Sequence, residues 1–199
     1  PIPTGSLFPA SFDASPDGQW IAFSTGAGDN KQEDVYVVKS DGSGLHQVTN
    51  DVYRDRSISW SRDGKKILFR SDRPIDSGDQ ASLTGYQFYE INPDGTGLKR
   101  ITAIPGGSAQ SVSSSPDGKR MVVGGSIRTG GSHLFVMKPD GSDAREIASA
   151  TDPLTIPVWS PDNKHVAYSQ IHNSSYQAFV LDTTAAGAKP QQLPDQNFQ

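Results

Sequence analysis

A turn of the form Ser-x-Asp-Gly occurs four times in this chain, and each copy runs straight into a short apolar stretch. The copies are Ser15-Pro16-Asp17-Gly18, Ser61-Arg62-Asp63-Gly64, Ser115-Pro116-Asp117-Gly118 and Ser160-Pro161-Asp162-Asn163. The stretches that follow are Trp20-Ile21-Ala22-Phe23, Ile67-Leu68-Phe69, Met121-Val122-Val123 and Val166-Ala167-Tyr168. Proline presets φ for the second position of a tight turn, aspartate bonds the backbone two residues on, and glycine takes the positive-φ position. Asn163 replaces that glycine in the fourth copy, and asparagine is the usual substitute in the left-handed region. Each copy reads as a β-hairpin, with Asp17, Asp63, Asp117 and Asp162 as structural turn residues. Successive aspartates are 46, 54 and 45 residues apart. A turn-and-strand unit at such a period marks a repeat architecture.

The rest of each repeat follows one plan. A third strand (Val35 to Val38, Phe88 to Ile91, Leu134 to Met137, Ala178 to Leu181) leads to a second turn. That turn is Asp41-Gly42-Ser43-Gly44, Asp94-Gly95-Thr96-Gly97 and Asp140-Gly141-Ser142-Asp143, and it is degraded between Asp182 and Gly187. A fourth strand follows, Leu45 to Thr49 in the first copy. The third strands are almost continuous apolar runs, the pattern of sheets covered on both faces. No 3.6-residue period persists long enough for a helix. The reading is all-β: a β-propeller of four-stranded antiparallel blades, four of them present. Residues 1–10, with three prolines, form an extended lead-in segment. The propeller spans 11–199, with blades at about 11–50, 51–103, 104–150 and 151–195.

Composition narrows the function. With 199 residues, 34% hydrophobic and 20% charged, the chain can bury a sizeable core. A net charge of −4 gives a field of the wrong sign for nucleic acid or an anionic membrane surface. The absence of cysteine excludes disulfides, thiol chemistry and cysteine-ligated zinc. No apolar run reaches the length of a membrane span, and no signal peptide is visible. Beginning at Pro1, the chain is expected to be processed or cut from something longer.

Catalytic and metal patterns fail one by one. A serine-hydrolase elbow, Gly-x-Ser-x-Gly, is absent. His46, His133, His165 and His172 fall on separate strands and loops, without the spacing of a zinc site. The Asp-Gly turns lack the Asp-x-Asp-x-Asp-Gly spacing of a calcium loop. The pairs Gly106-Gly107, Gly124-Gly125 and Gly130-Gly131 precede no helix that would cradle a phosphate. The expectation is a protein that is not an enzyme, with no metal and no cofactor.

Blade geometry says where binding belongs. Both Asp-Gly turns of a blade lie on one rim, and the non-repeating loops lie on the other. Gly18 to Gly42 is 24 residues and Gly118 to Gly141 is 23, but Gly64 to Gly95 is 31, so blade 2 holds an insertion within residues 72–80. The preceding loop, Asp51-Val52-Tyr53-Arg54-Asp55-Arg56, adds an aromatic and two arginines, residue types that anchor interfaces. The candidate binding rim is Tyr53, Arg54, Arg56, Asp72, Arg73, Arg128 and His172. The competing reading is a solvated, self-neutralising charge cluster.

The sequence Ser-Pro-Asp-Gly before Ile21-Ala22-Phe23, then Val35-Tyr36-Val37 before Asp41-Gly42-Ser43-Gly44, then Leu45 before Val48-Thr49, resembles the WD-like Pro-Asp repeat of TolB-type propellers. Similar repeats occur in the propellers of prolyl-oligopeptidase and dipeptidyl-peptidase relatives. The resemblance covers about residues 11–195. It implies a periplasmic or otherwise extracytoplasmic scaffold that binds a protein partner or ligand. The alternative is the gating propeller of a larger hydrolase. TolB propellers form a ring of about six blades, so four would cover about 240°. Blades 1 and 4 would then present open apolar faces, suited to missing blades or to self-association.

Overall fold

The computed structural model describes residues 8–26, 33–74, 85–102, 104, 107–127, 130–185 and 187–194. Among them there are only strands and turns. Blade 1 comprises β1 (Phe8–Ala14), β2 (Trp20–Gly26), β3 (Glu33–Lys39) and β4 (His46–Gln47). Blade 2 comprises β5 (Asp55–Trp60), β6 (Ile67–Ser71), β7 (Gln87–Ile91) and β8 (Lys99–Arg100). Blade 3 holds β9 (Gly107–Ser114), β10 (Met121–Ile127), β11 (Ser132–Met137) and β12 (Arg145–Ala150). Blade 4 holds β13 (Leu154–Trp159), β14 (His165–His172), β15 (Ser175–Asp182) and β16 (Gln191–Gln192). Each blade is one antiparallel sheet with its strands in chain order. Strand β1 starts at Phe8, inside the segment read as a lead-in. The fourth strand of blade 1 is a two-residue pairing, shorter than the Leu45–Thr49 run expected.

The repeated turn is a closed hydrogen-bond circuit, and its serine is the hub. Ser15 Oγ donates to Asp17 Oδ1 at 2.5 Å, Ser61 to Asp63 at 2.7 Å and Ser115 to Asp117 at 2.7 Å. Ser160 donates to Asp162 in the same way. Each serine oxygen also accepts from an amide five residues on: Trp20, Lys66, Arg120 and His165. Each aspartate accepts the amide two residues on, as Lys119 N does to Asp117 at 3.1 Å. The fourth turn position is left-handed in all copies, with φ of 69°, 69° and 68° at the glycines and 61° at Asn163. Asn163 adds a contact that glycine could not make, since its Oδ1 accepts from Asp117 N at 3.0 Å.

This circuit sets an acid limit. The serine hydroxyl, then the backbone amide, holds the carboxyl of Asp117 below its ordinary 3.8. A depressed folded value contributes stability above pH 3.8 that is lost as the pH falls through the folded value. Ser115→Ala is expected to raise the titration point of Asp117 toward 3.8, read by carboxyl carbon NMR. It should also cost about 1–3 kcal/mol by orphaning the amide of Arg120.

The first strand of every blade carries a register irregularity, at Pro9/Ser11, Arg56/Ser59, opposite Gly124/Gly125, and at Thr155/Val158. Ser57 and Ile156, at φ 58° and 51°, occupy equivalent places in these bulges. A bulge bends its strand and re-aims the side chains beside it. Asp55 and Arg56 therefore lie beyond the irregularity, at the end of β5 remote from the Ser61 turn.

The chain divides into two compact units, Pro1–Ala103 and Ile104–Gln199. In the first, blades 1 and 2 meet through Ala22, Val35, Val37, Ile58, Trp60, Ile67, Phe69, Tyr89 and Ile91. Trp60 fixes the seam, donating its amide to Asp13 Oδ2 at 2.8 Å and its indole N–H to Asp13 O at 3.2 Å. In the second, Leu134, Leu154, Tyr168 and Leu181 form one cluster and Val122, Val136 and Val166 another. There Trp159 donates to Ser113 O at 3.1 Å, and Arg120 stacks on its ring at 4.6 Å.

Two repeat columns are expected in the core. Phe23, Phe69, Val123 and Tyr168 are all buried. Of their cross-strand partners Tyr36, Tyr89, Phe135 and Phe179, only Tyr89 is buried and the others are half-buried. The first column lies on the second strand, flanked on both sides. The second lies on the third strand, whose outer neighbour has two residues in blades 1, 2 and 4 and six in blade 3, so the length of that neighbour does not order the burial.

Candidate functional site

Blades 1 and 2 place their turns at one edge and their variable segments at the other. On the turn edge, a Cβ on Gly64 would stand 3.6 Å from Cδ of Pro16, and His46 Nε2 lies 3.0 Å from Pro93 O. At the opposite edge Glu33 bridges to Arg54, and Arg54 N donates to Asp72 Oδ1 at 2.8 Å. Tyr53, Arg54, Arg56, Asp72 and Arg73 are thus gathered at the start of β5 and the end of β6.

Beneath that edge is a buried ion cluster. Arg73, 7% exposed, forks onto Asp55, with Nη1 to Oδ1 and Nη2 to Oδ2 both at 2.8 Å. Its Nη2 also bonds Asp51, and Nη1 donates to Ser71 Oγ at 2.9 Å. Three rings surround the guanidinium, Phe69 at 5.3 Å and Tyr53 and Tyr89 at 5.5 Å. Asp34 completes the cluster, accepting from Gln47 Nε2 at 3.1 Å and from Thr49 Oγ1 at 3.4 Å. Burial pushes the carboxyl of Asp55 up despite the pull of Arg73. Burial also works against the charge of Arg73, but Asp55 and Asp51 outweigh it and raise its value. Carboxylate oxygens of Asp34, Asp51 and Asp55 lie within 4.8 Å of one another, close enough to share a metal ion. Arg73 supplies the positive charge there, so this set reads as a clasp between blades.

A second cluster lies on the other face of β5 and β6. Arg56 and Arg70 are cross-strand partners, and both guanidinium groups stack on Tyr86, at 5.0 and 4.4 Å. Glu33 pairs with Arg56: Nη2 donates to Oε1 at 3.1 Å, and Nε stands 2.8 Å from Oε2 without the geometry of a hydrogen bond. Sequence reading passed over Arg70, Tyr86, Glu33 and Asp51. Register shows a usable signal: the column of Arg70 holds Ser24, Gly124 and Ser169 in the other blades, and that of Asp55 holds Pro9, Ala109 and Leu154.

In the second unit His172 ends β14, opposite Ser175, with Nδ1 2.6 Å from Asp152 Oδ2. His172 holds the column that Arg73 holds in blade 2, and each clasps an aspartate of the segment before its blade. The His172 contact holds the carboxyl of Asp152 below its ordinary value. Arg128 lies outside the described residues.

No family model matches the chain. It is 32% identical over 121 residues to dipeptidyl-peptidase 5 of Porphyromonas endodontalis, 59% of this chain and 16% of that protein. It is 35% identical over 77 residues to the Tol-Pal system protein TolB of Geobacter sulfurreducens, 39% of this chain and 17% of that protein. The chain therefore spans about a sixth of the curated relatives it matches. The crystal structure of TolB from Acinetobacter baumannii superposes with a TM-score of 0.66 at 20% identity, over 89% of this chain and 41% of that one. The fold is that of a TolB-like β-propeller. Four-stranded antiparallel sheets with their strands in chain order agree with it. Among the described residues no helix is long and apolar enough to cross a membrane.

Proposed function

We propose that this propeller is a non-catalytic scaffold that binds a protein partner through the variable edge of blades 1 and 2. One observation carries the reading: Tyr53, Arg54, Arg56 and Asp72 share an edge that the repeat itself leaves free to vary. Interfaces are rich in tyrosine and arginine over a rigid support, and the Arg73 clasp beneath the edge provides one. The TolB likeness supports a partner protein and a location outside the cytoplasm.

A second reading is favoured by the 32% identity to dipeptidyl-peptidase 5. In it the blades belong to a larger hydrolase and the same edge meets the catalytic domain.

The test is site-specific photo-crosslinking in the source cells, with a benzophenone amino acid at Tyr53 or, on the turn edge, at Lys65. A discrete adduct from position 53 alone is expected. Adducts from position 65 alone would overturn the placement. An adduct to a hydrolase domain of the same polypeptide would select the second reading.

A further inference from the structure

Arg70 carries a charge that nothing among the described residues neutralises. It is half-buried in β6, its Nε is shut off from solvent, and that Nε has no hydrogen-bond partner. Its neighbours are the ring of Tyr86 at 4.4 Å and the like-charged Arg56 across the strand pair. Like charges directly opposed on adjacent strands are destabilising. Among the described residues the carboxylate at this place is Glu33, and it is paired with Arg56. Burial most of all disfavours the charged form of Arg70; Tyr86 opposes it, and the repulsion of Arg56 adds to it. The blade does not need an arginine here, since the other three fill the column with Ser24, Gly124 and Ser169.

We propose that Arg70, braced by Tyr86 and flanked by Arg56, is a binding site for a carboxylate that a partner brings to the variable edge. This rests on the binding reading above and names its chemistry. A guanidinium offers a planar fork that matches a carboxylate, and the Glu33–Arg56 pair shows a carboxylate already held beside the Tyr86 ring. Stacking on Tyr86 fixes the guanidinium plane and reduces the freedom lost on binding. Partial burial strengthens attraction to an arriving anion relative to an exposed arginine. A carboxylate on the outer nitrogens would offset the repulsion from Arg56.

The experiment is a titration of the full chain with acetyl-glutamate amide, and separately with inorganic phosphate, at constant ionic strength set with chloride. It is followed at the Arg70 Nε–H resonance by NMR and by thermal midpoint. Acetyl-glutamate amide is expected to give a saturable shift and a raised midpoint. Arg70→Met should weaken its binding about tenfold or more, the scale of one hydrogen bond to a charged group. Arg62→Met, in the turn on the other edge, should leave it unchanged. Without probe, Arg70→Met should melt no lower than the parent chain, because it removes a charge that lacks a partner. A saturable response to phosphate alone would overturn the carboxylate assignment. So would no saturable response to either probe, or a destabilised Arg70→Met chain whose parent ignores both, which would make Arg70 structural. Crosslinking at Tyr53 reads the partner-binding edge independently, so an adduct there without a probe response refutes this inference alone.

Discussion

Arg73→Ala is expected to destabilise the first unit by about 3–5 kcal/mol, because it strands Asp55 in the interior without its cation. Asp55 is 0% exposed and receives both guanidinium nitrogens of Arg73. Urea unfolding followed at the indole N–H of Trp60, which donates to Asp13 O across the blade seam, reads this unit directly. The repeat also supplies the compensating variant. Blade 4 holds Leu154 in the column of Asp55, and blade 3 holds Ile127 in that of Arg73. Asp55→Leu with Arg73→Ile should recover most of the loss, as apolar replacements of buried ion pairs commonly do. Acid should help the single variant. Burial already raises the Asp55 carboxyl above 3.8, and losing Arg73 removes the largest influence that opposes it. A raised folded value adds stability at low pH that is lost as the pH rises through it. The deficit of Arg73→Ala should therefore shrink as the pH is brought down toward 3.8. A deficit that grows on acidification would mean that Asp55 is not the stranded group.

How much of this was legible in the sequence depends on whether the information was local. The Ser-x-Asp-Gly circuit spans six residues, so its chemistry is complete within the turn, and repetition makes it visible. Burial of Phe23, Phe69, Val123 and Tyr168 was readable for the same reason. The half-burial of Tyr36, Phe135 and Phe179 was not, because it depends on what packs over each third strand, which no single repeat contains. The clasp joins Asp34, Asp51, Asp55 and Arg73, which lie on separate strands and loops of two blades. Arg73 was singled out as a surface anchor, whereas it lies buried beneath the edge. Arg70 was hidden inside the apolar run Ile67-Leu68-Phe69. Comparing it with its own column in the repeat marks it as the residue that the fold does not ask for.

Phe69→Ala should cost about 3–5 kcal/mol, the range for emptying a packed aromatic site. Phe69 is 0% exposed, stacks on Tyr89 with ring centroids 6.0 Å apart, and sits at the centre of the seam between blades 1 and 2. Phe135 occupies the column of Tyr89 but faces Val123 across the strand pair and is half-buried. Its truncation should cost about half as much, in proportion to the apolar area removed from water. The two sites differ in a second way. The ring of Phe69 lies 5.3 Å from the Arg73 guanidinium, so removing it also strips one wall from the buried cation. Phe69→Ala and Arg73→Ala should therefore be non-additive, with a coupling of about 0.5–3 kcal/mol in a double-mutant cycle. Phe135→Ala and Arg73→Ala, in separate units, should add. If the Phe69 and Arg73 losses simply sum, the ring is filling space beside the clasp without sharing its energy. A measured coupling would instead make the core and the ion cluster one cooperative element beneath the variable edge.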